Sequence, residues 1–186
     1  DIKSLTIDES IAKFRVLIVS DEKKALSGKH VLKYIRAGET QTFGVGPRAG
    51  VPAKKPTCAS RNPWYALDQS NKGKFLWFAL ITDTHAVPHN PGDFLSDKRF
   101  YNVNPKDAGQ EELVFGLLNS TFTFLCAEFW GRQFAGRGID SIDITVYEVA
   151  QLPFLNPGVV PEEIAIKIVD AIRKIADRPI LPVLEE

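Results

Sequence analysis

Methionine is missing from all 186 residues, and the first residue is Asp1. The expectation is therefore a piece of a longer protein. Cysteine is nearly missing too: Cys58 and Cys126 alone, far apart in the chain, make neither a disulfide framework nor a zinc site. A reducing, cytoplasmic setting follows as the simplest expectation. The three histidines, His30, His85 and His89, lack the spacing of a zinc motif, so no metal is expected. No apolar run reaches the ~18 residues that span a bilayer, and no basic-then-apolar leader pattern opens the chain, so no membrane partner is expected. A Gly-x-Ser-x-Gly elbow and a nuclease Pro-Asp…Glu-x-Lys arrangement are both absent. The common routes to hydrolytic chemistry therefore have no support.

Net charge is also zero, but its distribution is uneven. Residues 1–104 carry 16 Lys and Arg against 10 Asp and Glu, and residues 105–186 carry 7 against 13. The excess peaks between Lys23 and Lys74, with eleven basic residues against Glu39 and Asp68. Such a stretch is the footprint of a phosphate-facing surface, or else a solvated basic face balanced by acidic neighbours in the fold. A hydrophobic content of 44% suffices for a full core, and a single domain over 1–186 is expected, with a C-terminal helix and tail over 156–186.

Hydrophobic periodicity gives a mixed set of elements. Lys13 to Ser20 reads as a strand, and Ser20 then caps a helix with Asp21 and Glu22 in its first turn. Tyr34 to Val45 suggests two short strands around a Gly38 turn. Gly44 to Pro56 is too rich in Gly and Pro for a regular element and reads as an exposed basic loop. Lys74 to Ile81 is a continuous apolar run of strand length, buried on both faces. Thr82 to Phe94 is a loop, and Lys98 to Val103 a strand. Glu111 to Trp130 reads as one long helix, too apolar for a surface position. Ile139 to Tyr147 alternates as a half-exposed strand. Pro161 to Arg178 is an amphipathic helix striped by Ile164, Ile168, Ile172 and Ile175. Without regular βαβ alternation, the fold class is α+β: a mixed, irregular sheet with a buried central helix and a C-terminal amphipathic helix.

Several motifs occur in order. They are Arg61-Asn-Pro-Trp-Tyr65, Ile81-Thr-Asp-Thr-His85, Leu118-Asn-Ser120, and a turn carrying Gly131-Arg132 and Gly136-Arg137-Gly138. Across Lys33 to Leu155 this series resembles the C-terminal target-recognition region of the N6-adenine DNA methyltransferases of restriction–modification systems, of type I or type IIG. Asn62-Pro63-Trp64-Tyr65 departs from that family's catalytic Asn-Pro-Pro-Tyr at its third position and follows a polar run rather than an apolar strand. Gly44-Val45-Gly46 is followed at once by Pro47 and is a weak cofactor signal.

The resemblance implies a sequence-specific DNA-recognition domain with a target-recognition-domain-like fold. It would be no enzyme alone and would hold no cofactor. Its partners would be double-stranded DNA and a catalytic domain, of the same or an associated chain, that uses S-adenosylmethionine to methylate adenine N6. The candidate DNA-binding residues are Arg48, Lys54, Lys55, Arg61, Tyr65, Lys74, Thr84, His85, Arg99, Arg132 and Arg137. The Arg61–Tyr65 element has two readings: structural, with Trp64 and Tyr65 packing the sheet as core and Pro63 fixing the turn, or functional, with Arg61 on a phosphate or guanine and an aromatic ring against sugar or base. Thr84 and His85 sit in a polar loop suited to reading base edges. Asn119-Ser120 reads as structural, hydrogen-bonding nearby backbone. The competing function is a non-catalytic protein-interaction or scaffold domain of a restriction or phage-defence complex.

Overall fold

A computed structural model of the chain describes residues 2–8, 10, 14–67, 72–82, 84–133 and 141–181. The chain divides into two compact units, Phe14–Gln69 and, flanking it on both sides in sequence, Asp1–Lys13 with Ser70–Glu186.

In the smaller unit, Ser20 to Glu22 do not open a long helix. A single 3-10 turn, Lys23–Leu26, is followed by Gly28 at φ +78°, a left-handed conformation that glycine adopts without strain. The chain then enters α1 (His30–Thr40), which stands where two strands were expected. Its buried Ile35 and Gly38, with Val31 and Leu32 half-buried, recur at helical spacing. Gly38 serves contact rather than a turn: the Trp64 indole lies over it, and a Cβ there would collide with the ring. Trp64 Nε1 donates to Glu39 Oε1 at 3.0 Å, and the Tyr65 hydroxyl donates to the Asp21 carbonyl at 2.9 Å. Trp64 thus packs onto a helix, not onto a sheet as expected. Residues 14–20, expected as a strand, are extended without regular pairing, and Phe14 is 89% exposed. β-branched residues favour a strand only where a neighbour completes the ladder. The Gly/Pro-rich stretch is a largely exposed loop with 3-10 turns at Gly46–Arg48 and Pro52–Lys54, leading into α2 (Pro56–Ala59).

In the larger unit, β1 (Phe75–Phe78) pairs antiparallel with β3 (Phe100–Val103), Phe75 lying opposite Val103. A second sheet has the order β2 (Leu80–Ile81), β5 (Ile142–Asp143), β4 (Arg132–Gln133), again antiparallel. The expected Lys74–Ile81 strand is therefore divided at Ala79, whose N–H donates to Arg99 and whose carbonyl accepts from Ile144. Phe75, Leu76 and Trp77 are buried in succession, as a run covered on both faces must be.

The expected long helix is two. α3 (Glu111–Leu118) and α4 (Thr121–Trp130) meet at a 66° bend. Ser120 caps α4 by accepting the Thr123 N–H at 3.3 Å. The Asn119 amide accepts from Val87 N–H at 2.8 Å and donates to the Val87 and Phe115 carbonyls. Asn119-Ser120 fixes packing as expected, and in doing so ends one helix and starts the next. Among the described residues no single helix is long and apolar enough to cross a membrane.

Beyond Asp143 the expected strand gives way to α5 (Val146–Val149), because Thr145 and Glu148 form a reciprocal capping box. α6 (Glu162–Ile175) packs on α3, where Gly116 meets Ile168 and Arg173 pairs in two-pronged fashion with Glu112. Its inward stripe is Ile168 and Ile172, whereas Ile164 and Ile175 are exposed. Phe75 stacks on Phe115 at 5.5 Å in the core beneath. The N-terminal residues close this unit: Thr6 N–H donates to the Ala176 carbonyl, Ile7 N–H to the His89 carbonyl, and His89 N–H in turn to the Leu5 carbonyl. The fold is α+β, with small antiparallel sheets, a buried helix α3, a C-terminal amphipathic helix and, where the buried helix was expected to continue, an α4 that exposes much of its apolar face.

Candidate nucleic-acid interface

The division of the chain sorts its charge. Phe14–Gln69 holds 10 Lys and Arg against 4 Asp and Glu; the remaining residues hold 13 against 19. The basic segment seen in sequence is thus largely one folded unit. Part of its acidity is already spoken for: Glu39 accepts from Lys23 Nζ at 2.5 Å and from Trp64. The Lys23 hydrogen bond, helped by Trp64 and Arg36, holds the Glu39 carboxyl below the usual range against its partial burial.

Four candidates lie within residues 48–61 of this unit. Arg48, Lys54 and Arg61 are exposed and Lys55 is half-buried, its Nζ donating to the Arg48 carbonyl at 2.5 Å. That bond ties the 3-10 turn at Gly46–Arg48 to the base of α2. Tyr65 is half-buried, and its hydroxyl is engaged by Asp21.

The candidates of the larger unit are scattered. Lys74 and Arg99 adjoin opposite ends of the β1–β3 ladder, Lys74 lying 3.7 Å from Asp93. Arg99 is exposed. Arg132 lies 3.2 Å from Glu148 and 3.9 Å from Asp143, so its charge is met locally. Gly136, Arg137 and Gly138 lie outside the described residues, as do Asp83 and the expected strand start at Ile139. Thr84 is half-buried. His85 is packed between Trp77 and Phe124, with Nε2 3.2 Å from the Leu118 carbonyl. Held this way, the ring has one nitrogen engaged within the fold.

Sequence reasoning missed one feature. Arg36 was expected on a strand, with Lys29 and Lys33 ahead of it, but Lys29 sits at the cap position of α1 and Lys33 and Arg36 lie along its exposed face. Their i, i+4, i+7 spacing was the available signal.

Among the described residues no group of three or more His, Cys, Asp or Glu could hold a metal ion. The named strands among the described residues pair only antiparallel. No curated protein and no solved structure matches the chain significantly. A family model does, the one described as "Type II methyltransferase M.Eco57I, C-terminal domain", over residues 6–177. With a match of that extent, the chain belongs to the family of C-terminal domains of type II methyltransferase M.Eco57I.

Proposed function

We propose that this chain is the sequence-specific DNA-recognition part of an adenine-N6 DNA methyltransferase of a restriction–modification system. It holds the duplex and places it for a catalytic domain that carries S-adenosylmethionine. The observation that supports this best is the segregation of charge, a net positive unit within a neutral chain that belongs to a methyltransferase family. Phosphate contacts by Arg48, Lys54, Lys55 and Arg61 would set register, and sequence would be read from nearby loops. The cytoplasm is the matching compartment.

Equilibrium binding of the full chain to fluorescent duplexes tests the reading. The expected result is salt-sensitive binding, with log K falling linearly as log salt rises. Absence of duplex binding at low salt would overturn it.

The alternative, a protein-interaction domain, draws on a different surface. α4 exposes Phe122, Leu125, Phe129 and Trp130, with Phe129 83% exposed, and none of these carries charge. Contiguous exposed apolar side chains of this kind mark contact surfaces. A chain that binds a methyltransferase domain through this face and ignores DNA would be that scaffold.

A further inference from the structure

α1 turns a row of cations away from its packed side. At ~100° per residue, Lys33 and Arg36 fall about 60° apart, with Lys29 at the cap position just ahead of the helix and Ile35 and Gly38 on its far side. All three are exposed. Lys29 lies 3.7 Å from Asp21, a pair open to solvent on both sides and therefore easily given up. Among the described residues, Lys33 and Arg36 have no carboxylate within ion-pair distance, although Arg36 acts on Glu39 at longer range.

The dimensions fit a nucleic-acid strand. Lys29 to Arg36 covers roughly 10 Å of helix axis at 1.5 Å per residue, and one strand of duplex DNA presents a phosphate about every 3.4 Å of its axis. Three cations thus face about three phosphates. The helix is also braced from behind. Trp64 lies over Gly38, and its bond to Glu39, which Lys23 shares, resists rolling of α1.

We infer that the Lys29–Lys33–Arg36 face of α1 grips the phosphates of one strand of duplex DNA. This rests on the reading of the chain as a DNA-recognition domain. The face positions the duplex and does not read it, since phosphate contacts carry no sequence information.

The test is a salt series of anisotropy titrations of the full chain against two duplexes of unrelated sequence. It compares the unmodified chain, Lys33→Gln/Arg36→Gln, the charge-keeping Lys33→Arg/Arg36→Lys, and Lys167→Gln as a control on α6. The neutralised double variant should weaken binding to both duplexes equally and flatten the salt slope by about 2, at roughly 0.9 per lost phosphate contact. The charge-keeping variant and the control should hold the original slope. If the unmodified chain binds and the neutralised variant matches it, the α1 inference fails while the DNA reading stands. If the unmodified chain binds no duplex at low salt, the DNA reading fails and takes this inference with it. Polyglutamate competing as well as duplex would also overturn it, because the face would then be a general anion binder.

Discussion

Two packed rings in the larger unit show how far a side chain's surroundings can depart from its motif. Trp77 and His85 meet edge to face at 5.7 Å. His85 Nε2 faces the Leu118 carbonyl and so carries the proton, leaving Nδ1 as an acceptor. That Nδ1 and the Trp77 N–H are both buried without a hydrogen-bond partner in the structure, one acceptor and one donor side by side. Burial pushes the His85 pKa down, outweighing the Leu118 carbonyl that favours the charged ring. The folded chain thus binds this proton only below the ordinary value near 6.5, whereas the unfolded chain takes it up there. Stability contributed by neutral His85 is complete above about pH 6.5 and is lost as pH falls below it, by at most about 1.4 kcal/mol per unit. Urea midpoints at pH 8 and pH 5.5 should therefore differ, and His85→Gln should shrink the difference. An equal pH dependence in the variant would mean the ring is not held neutral. His85 looks like part of a polar loop in sequence because the residues that meet it, Leu118 and Phe124, come over thirty residues later. The same holds for Asn90, fully buried, whose amide organises the loop by bonding Gly73 and Phe94.

At the scale of elements, apolar runs and amphipathic stripes were legible and their interruptions were not. The Lys74–Ile81 and Lys98–Val103 strands, the helical content of 111–130 and α6 follow from periodicity, which is local. The bend at Asn119-Ser120 depends on Val87, a contact from far along the chain, and α1 was hidden because Gly38 resembles a turn residue until Trp64 is seen against it. Both points are testable. Asn119→Ala leaves the Val87 N–H and carbonyl unpaired and should cost about 1–3 kcal/mol, read from chemical denaturation. A loss within a few tenths would show that water replaces the amide. Gly38→Ala should destabilise the smaller unit by about 1–3 kcal/mol through overpacking, although alanine is the better helix former by about 1 kcal/mol. Combining it with Trp64→Leu should recover part of that loss in a double-mutant cycle. Additive losses would place the strain elsewhere than under the indole.

For the molecule as a whole, the division into two units sets how it should unfold and what DNA should do to that unfolding. The smaller unit has a thin core, with Leu26 and Ile35 its buried apolar side chains among the described residues, supplemented by half-buried Trp64. A unit of this length buries too little surface to be more than marginally stable. The larger unit is built around Phe75, Trp77, Phe115, Ile144 and their neighbours, most of them nearly fully buried. Unfolding should therefore occur in two steps, with Phe14–Gln69 lost first, rather than as one cooperative transition. Trp64 is the smaller unit's one tryptophan, against Trp77 and Trp130 in the larger, so comparing the chain with Trp64→Phe assigns the steps. A ligand stabilises the state that binds it, by about 2.7 kcal/mol at a hundredfold excess over Kd. If the basic unit holds the duplex, saturating DNA should move the early step to higher urea, leave the late one nearly fixed, and slow amide exchange along α1. A shift of the late step alone would assign the DNA surface to the larger unit, around Arg99 and Arg132, and would remove the basic unit from the recognition mechanism.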